Sequence, residues 1–290
     1  MTSQAPESAS RISPAAIAAR VGVFAILGYL GLQIFSLVLY PVFGLLIASV
    51  IGVFAAAAVA NSLALRIYEH LRLPAVGLDW NNDSPRHFAI GMGVGVGAAL
   101  LVLGVPLLFG LAQWTADSTS ATGVASFLFV TMVLLFGAFG EELLFRGYAF
   151  QLLVGRLGTA ATLLPMSVLF AAAHSSNAGV SLLGLFNTFA WGAVLGWSLL
   201  RSGDLWLPIG LHFGWNWTMP LMGVNLSGFT MRVTGVALDW KISDRWSGGD
   251  YGPEGGMLCT LVLIPVVVAL WKAPIRTQHL ALVIKDEEDA

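Results

Sequence analysis

The sequence predicts an all-α, polytopic transmembrane helical bundle of about eight spans with both termini in the cytoplasm. Three observations carry that prediction. Hydrophobic residues make up 57% of the 290-residue chain, charged residues only 10%, and the mean hydropathy is +0.81. Soluble domains carry roughly 25% charge, so the apolar character belongs to the whole chain and not to a single anchor. Apolar runs of about 20 residues recur along it, separated by short polar or turn-rich breaks.

Each span follows from its run and its break. The first covers about 17–40 and ends at Pro41; at about 20 apolar residues it exceeds a secretory h-region, and is read as an uncleaved span. The second covers about 42–66, and a polar connection with Asp79, Asn81, Asn82, Asp83 and Pro85 follows it. The third covers about 88–113, before the break Asp117 to Gly123. The fourth covers about 125–154, the fifth about 159–175, the sixth about 179–200 and the seventh about 204–222. A polar loop over about 224–254 precedes the eighth span at about 255–272, and the tail closes on Asp286 to Asp289, a solvated end. No second domain or linker is evident: residues 1–290 read as one integral-membrane domain.

Orientation follows from Lys and Arg placement. With the N-terminus inside, the inner segments hold Arg11, Arg20, Arg66, Arg72, Arg86, Arg156, Arg201, Lys272, Arg276 and Lys285; the outer ones hold Arg232, Lys241 and Arg245. The net charge of −2 argues against nucleic-acid binding. A single cysteine, Cys259, excludes an intrachain disulfide. Glycines in the run Gly91 to Gly97 lie inside the third span, where small residues four apart let helices approach closely; no strand precedes them to make a phosphate loop.

The chemistry sits in the membrane. Glu141 and Glu142 are adjacent in an apolar run, and intramembrane acids are costly enough to mark function. Glu142 and Arg146 are four apart with the acid first, so they are expected to pair. Glu141 lies about 100° around the same helix and stays available for proton chemistry. Phe170 sits one turn before His174 and is placed to pack beside its imidazole. His212 and Asn216 share a helix face, and Pro208, four residues earlier, is expected to bend that span. The remaining histidines, His70, His87 and His279, are expected at solvent or at the interface. The tryptophans read as interfacial anchors, with Trp215 and Trp217 expected to pack.

These groups suffice for peptide hydrolysis by an activated water. Glu141 serves as general base, His174 holds the water or protonates the leaving amine, and His212 with Asn216 directs donors at the oxyanion. No Gly-x-Ser-x-Gly motif or intramembrane aspartate pair supports another route. Glu141, His174 and His212 are also the donor set of a three-ligand zinc site with an open water position, although His-Glu-x-x-His spacing is missing.

Glu141-Glu142-x-x-x-Arg146, Phe170-x-x-x-His174 and His212-x-x-x-Asn216, in that order on the fourth, fifth and seventh spans, resemble the three motifs of the CPBP family. That family holds the CAAX prenyl proteases and bacterial Abi relatives linked to bacteriocin processing and immunity. The resemblance covers about 125–222, the expected catalytic core. It implies a glutamate-dependent intramembrane endopeptidase with Glu141 and His174 activating water. His212 and Asn216 would form the oxyanion site, with Glu142 and Arg146 in support. It leaves metal dependence open, since the family is described both as metalloproteases and as metal-free. It also implies residence in the inner (plasma) membrane, contact with membrane lipid, and a peptide or membrane-protein substrate that can be lipidated. Two other readings stand beside it: a non-catalytic scaffold or bacteriocin-immunity protein, and a proton-coupled transporter using Glu141 and the histidines as a relay.

Overall fold

A computed structural model describes residues 12–283. Arg11, Lys285 and the acidic tail lie outside the described residues. Helix α1 (Pro14–Ala64) starts at Ser13, whose hydroxyl accepts from the Ala16 amide. It is interrupted at Gly44, where φ is 74°. Only glycine takes that conformation without strain, and with Pro41 just before it the chain reverses. Gly31 then packs against Ala56, and Gly52 against Ser36, so α1 is two antiparallel limbs matching the first two expected spans.

The other helices are α2 (Ser84–Leu108), α3 (Val124–Arg146), α4 (Tyr148–Leu157), α5 (Thr159–Ala173), α6 (Leu182–Ser202), α7 (Trp206–Leu221), the single turn α8 (Asp244–Ser247) and α9 (Met257–Lys272). Four helical segments are long and apolar enough to cross a membrane: Pro14–Glu69, Ser84–Leu108, Val124–Leu157 and Leu182–Ser202. Large apolar side chains such as Leu37, Val42, Leu108 and Leu182 lie exposed on these helices, as lipid contact requires. The chain is an all-α membrane bundle.

Two expectations about elements are corrected. The fourth span is not continuous: α3 stops at Arg146 and α4 begins after Gly147. The Asn61 side chain fills the break, donating to the Leu143 carbonyl at 2.9 Å and accepting from the Tyr148 amide at 2.7 Å. Gln151 adds a bond to the Arg146 carbonyl at 2.9 Å. Buried backbone groups freed at a helix break must find such partners. Pro208 does not bend α7, because it is the third residue of the helix, where its missing amide costs nothing.

The polar connections separate into two groups, as the Lys/Arg tally expects. On one side the Leu205 amide donates to the Gly77 carbonyl at 2.9 Å and the Gln278 amide to the Ser202 carbonyl at 2.7 Å. Arg201 there donates to the Leu270, Trp271 and Ala273 carbonyls. On the other side β1 (Ala112–Ala116) pairs antiparallel with β2 (Val236–Trp240), Ala112 opposite Trp240 and Ala116 opposite Val236. The third expected span therefore ends at Leu108, and its last residues form a strand. Asp117 extends this ribbon with a 2.6 Å ion pair to Arg232, and hydrogen bonds from Thr119, then Arg232, hold its carboxyl below the usual range.

His87 is a further correction. It is fully buried, and its Nδ1 lies 2.6 Å from Asp204 Oδ2, which also accepts from Gln278 at 2.8 Å. The imidazole ties the start of α2 to the α6–α7 turn and the C-terminal segment. His70 and His279 are exposed, as expected.

Candidate active site

Helices α3, α5 and α7 bring the motif residues together. The packing of α7 explains how it is held. Gly91 and Gly95 of α2 face the Leu207 and Leu211 carbonyls of α7, while Gly210 and Gly214 of α7 face the Phe88 and Met92 carbonyls of α2. A methyl group at any of the four would overlap backbone, so the two helices touch along glycine and His212 sits between the contacts. The glycine run thus packs helices as read from the sequence. Gly140 does the same for α3, bringing it against the Phe54 backbone of α1 immediately before Glu141.

Three polar atoms then converge. Glu141 Oε2 lies 3.7 Å from His174 Nε2 and 3.8 Å from His212 Nε2. These gaps are too long for direct hydrogen bonds and are the spacing at which a water intervenes. The Glu141 oxygen is shielded from solvent and lacks a hydrogen-bond partner among the described residues.

The far sides of both imidazoles are anchored, which sets their tautomers. His174 Nδ1 is 2.8 Å from the Phe170 carbonyl, so Nδ1 carries the proton and Nε2 turns to Glu141. His174 is also the residue on which α5 stops, its amide bonded to Ala171. His212 Nδ1 is 2.8 Å from Glu142 Oε1, so it too donates from Nδ1 and presents Nε2 to Glu141.

Glu142 pairs with Arg146 at 3.2 Å, as the four-residue spacing predicts. Both are buried, with side-chain exposures of 0% and 3%, whereas Glu141 retains 29%. That contrast decides which carboxylate meets water. Arg146 also donates to the Gly192 carbonyl at 3.1 Å and lies over the Phe170 ring, 4.3 Å from its centroid. Phe170 packs against His174, with ring centroids 4.7 Å apart. Its ring supports Arg146 and its carbonyl aims His174.

Glu141, His174, His212 and Asn216 all line one cavity of about 490 Å³. Leu46, Val50 and Val53 of α1 with Val133 and Leu134 of α3 form an apolar portion, and Ser227, Phe229 and Glu254 of the long outer loop form another wall. Trp215 lines this cavity, while Trp217 packs away from it and donates to Thr131 Oγ1 at 2.9 Å. The Trp191, Ser227 and Glu254 contributions escaped the sequence reading. Ser227 and Glu254 sit in a loop of ordinary polar composition, and Trp191 is one tryptophan among ten.

A family model described as Rce1-like, Type II CAAX prenyl endopeptidase Rce1-like, matches residues 122–218. Over that segment, about a third of the chain, the protein is similar to the CAAX prenyl endopeptidases. The match spans every motif residue from Glu141 to Asn216. No curated protein and no solved structure matches the chain. For a CAAX protease the kind of function is intramembrane proteolysis, and the kind of substrate is a membrane-associated protein.

Glu141, His174 and His212 supply donor types suited to a cation, with Glu141 Oε2 3.7 and 3.8 Å from the two imidazole nitrogens. Among the described residues no group of three or more His, Cys, Asp or Glu is disposed to hold a metal ion.

Proposed function

We propose that the protein is an intramembrane endopeptidase that hydrolyses a peptide bond of a membrane-associated substrate with a water activated by Glu141 and His174. The observation that carries this reading is the convergence of Glu141 Oε2 with His174 Nε2 and His212 Nε2, at 3.7 and 3.8 Å, on the wall of a cavity large enough for an extended peptide. A water between Glu141 and His174 donates one proton to the carboxylate and is held through its second by the imidazole. Its oxygen attacks the scissile carbonyl. Glu141 then returns the proton to the leaving amine.

The oxyanion is met by the Asn216 amide and by His212. For Nε2 of His212 to donate while Nδ1 donates to Glu142, the ring must be an imidazolium. Glu142 lies 2.8 Å from that ring and pairs in turn with Arg146 at 3.2 Å in an apolar surrounding. One oxyanion donor is worth roughly 2.7–4 kcal/mol. The apolar portion of the cavity receives the substrate's apolar or lipidated part.

The test is cleavage of quenched peptides by purified protein in nanodiscs. Glu141→Gln keeps size and hydrogen bonding but removes the base, so turnover should fall at least about 100-fold with an unchanged melting temperature. Full activity in that variant would end the hydrolytic reading. A biological effect that persists in it would mark a scaffold instead. Turnover should also survive dialysis against a strong chelator; loss restored by added zinc would replace this mechanism with a metal-dependent one.

A further inference from the structure

The cavity has a second polar end, away from the reacting groups. Leu226 to Phe229 form a tight turn in which the Phe229 amide donates to the Leu226 carbonyl at 2.7 Å and the Leu226 amide to the Phe229 carbonyl at 2.9 Å. Its two central residues, Ser227 and Gly228, both have positive φ, at 49° and 83°. Glycine accepts that conformation, but for serine it costs energy that the surroundings must offset. Glu254 supplies the offset: its Oε2 accepts from both the Ser227 amide at 2.7 Å and the Ser227 hydroxyl at 2.6 Å. Its Oε1 accepts from Trp215 Nε1 at 3.1 Å, on the residue next to Asn216. A strained turn is thus clamped at the cavity wall by a carboxylate tied to the site helix.

Among the described residues that carboxylate has only uncharged donors, and no Lys or Arg lines the cavity. Around it the cavity offers acceptors. Thr188 donates its hydroxyl to the Gly184 carbonyl at 2.8 Å, leaving its lone pairs free. The Asn177 side chain also lines the wall. Behind this wall Tyr251 is 1% exposed, and among the described residues its hydroxyl lacks a hydrogen-bond partner, although Thr188, Ser227 and Asn177 surround it. Burial, and then the nearby Glu254 charge, push its phenol up to about 12, so it remains a neutral hydroxyl. An uncompensated carboxylate among hydroxyl and amide oxygens calls for a donor-rich cation, and an ammonium or guanidinium group has that chemistry. A substrate's terminal carboxylate would meet like charge here and find no fixed cation.

We propose that this end of the cavity, built on Glu254 and Ser227 with Tyr251 packed behind them, is a specificity subsite for a lysine or arginine side chain, so that the enzyme selects internal peptide bonds close to a basic residue. The proposal rests on the hydrolytic reading above and adds the substrate class to it.

The test takes the full-length protein in nanodiscs and a proteome-derived peptide library, one half of it with its lysines acetylated. Cleavage sites read by mass spectrometry should be enriched several-fold in adjacent Lys and Arg, and acetylation should erase the lysine-dependent ones. One such site, remade as quenched peptides with lysine or its uncharged isostere norleucine, should show about a tenfold preference in kcat/KM for lysine, carried mainly by KM. In Glu254→Gln the preference should fall to about one. Tyr251→Phe deletes a single hydroxyl and serves where Glu254→Gln does not fold; it should lower the preference by about threefold. Absence of basic enrichment, or a lysine preference retained by both folded variants, overturns the subsite. Failure of folded wild-type protein to cleave any library peptide overturns the hydrolytic reading itself.

Discussion

Glu142 carries more of the site than an ion pair with Arg146 would require. Its Oε1 lies 2.8 Å from His212 Nδ1 and 3.2 Å from Arg146, so one buried oxygen both orients the imidazole and balances two cations. It never meets the cavity and acts as a positioning residue. Glu142→Gln keeps the volume and loses the charge. Turnover should drop by up to about 100-fold with little change in KM, since the interaction with His212 matters when charge develops on the oxyanion. Glu142→Gln combined with His212→Ala should lose no more than His212→Ala alone, because both act through one group. Additive losses in that cycle would show that Glu142 only supports the fold. The Glu142–Arg146 pair was legible from the four-residue spacing, as was the packing of Phe170 beside His174. The Glu142–His212 bond was not, because it joins residues 70 apart and depends on how α3 and α7 are rotated.

The α2–α7 pair shows how an element is set by what it lacks. Gly91 and Gly95 meet carbonyls of α7, and Gly210 and Gly214 meet carbonyls of α2, so the helix axes approach as closely as backbones allow. Gly95→Ile introduces a branched side chain against the Leu211 carbonyl and the Trp215 amide, neither of which can rotate away. It should destabilise the protein by at least about 1–3 kcal/mol, read as a lower melting temperature by tryptophan fluorescence. Cleavage should fall with it, because His212 and Asn216 ride on α7. Gly93, one of the same run, has open space where a side chain would go, and Gly93→Ala should leave both measurements unchanged. The glycine run announced close packing in the sequence; the partner helix, and which glycines face it, required the assembled bundle. The α3–α4 break was missed for a related reason. The stretch is apolar throughout, and the groups that make the break tolerable, Asn61 and Gln151, lie elsewhere in the chain or within what reads as one span.

The bundle has two chemically distinct ends. One gathers the connections around Arg20, Arg66, Arg72, Arg86, Arg156 and Arg201; the other gathers the β1–β2 ribbon and the long loop with Glu254. The charge asymmetry predicts that the first end faces the cytoplasm. Single cysteines placed at Arg72 and Arg245 in a Cys259→Ala background should therefore differ in intact cells. The Arg245 position should label with a membrane-impermeant maleimide, and the Arg72 position only after permeabilisation. The reverse pattern would invert the protein. That result bears on function, since the Ser227–Glu254 wall of the cavity belongs to the end with β1 and β2.

Composition and spacing alone established a helical membrane bundle and placed a carboxylate, two imidazoles and an amide on neighbouring spans. They could do so because helix periodicity and the cost of burying charge in lipid are local properties of the chain. Only the tertiary structure decided which imidazole nitrogens face the cavity, that Glu142 anchors one of those rings, and that a loop carboxylate closes the far wall. Those outcomes depend on helix rotation and on contacts between distant residues, and no local pattern encodes either.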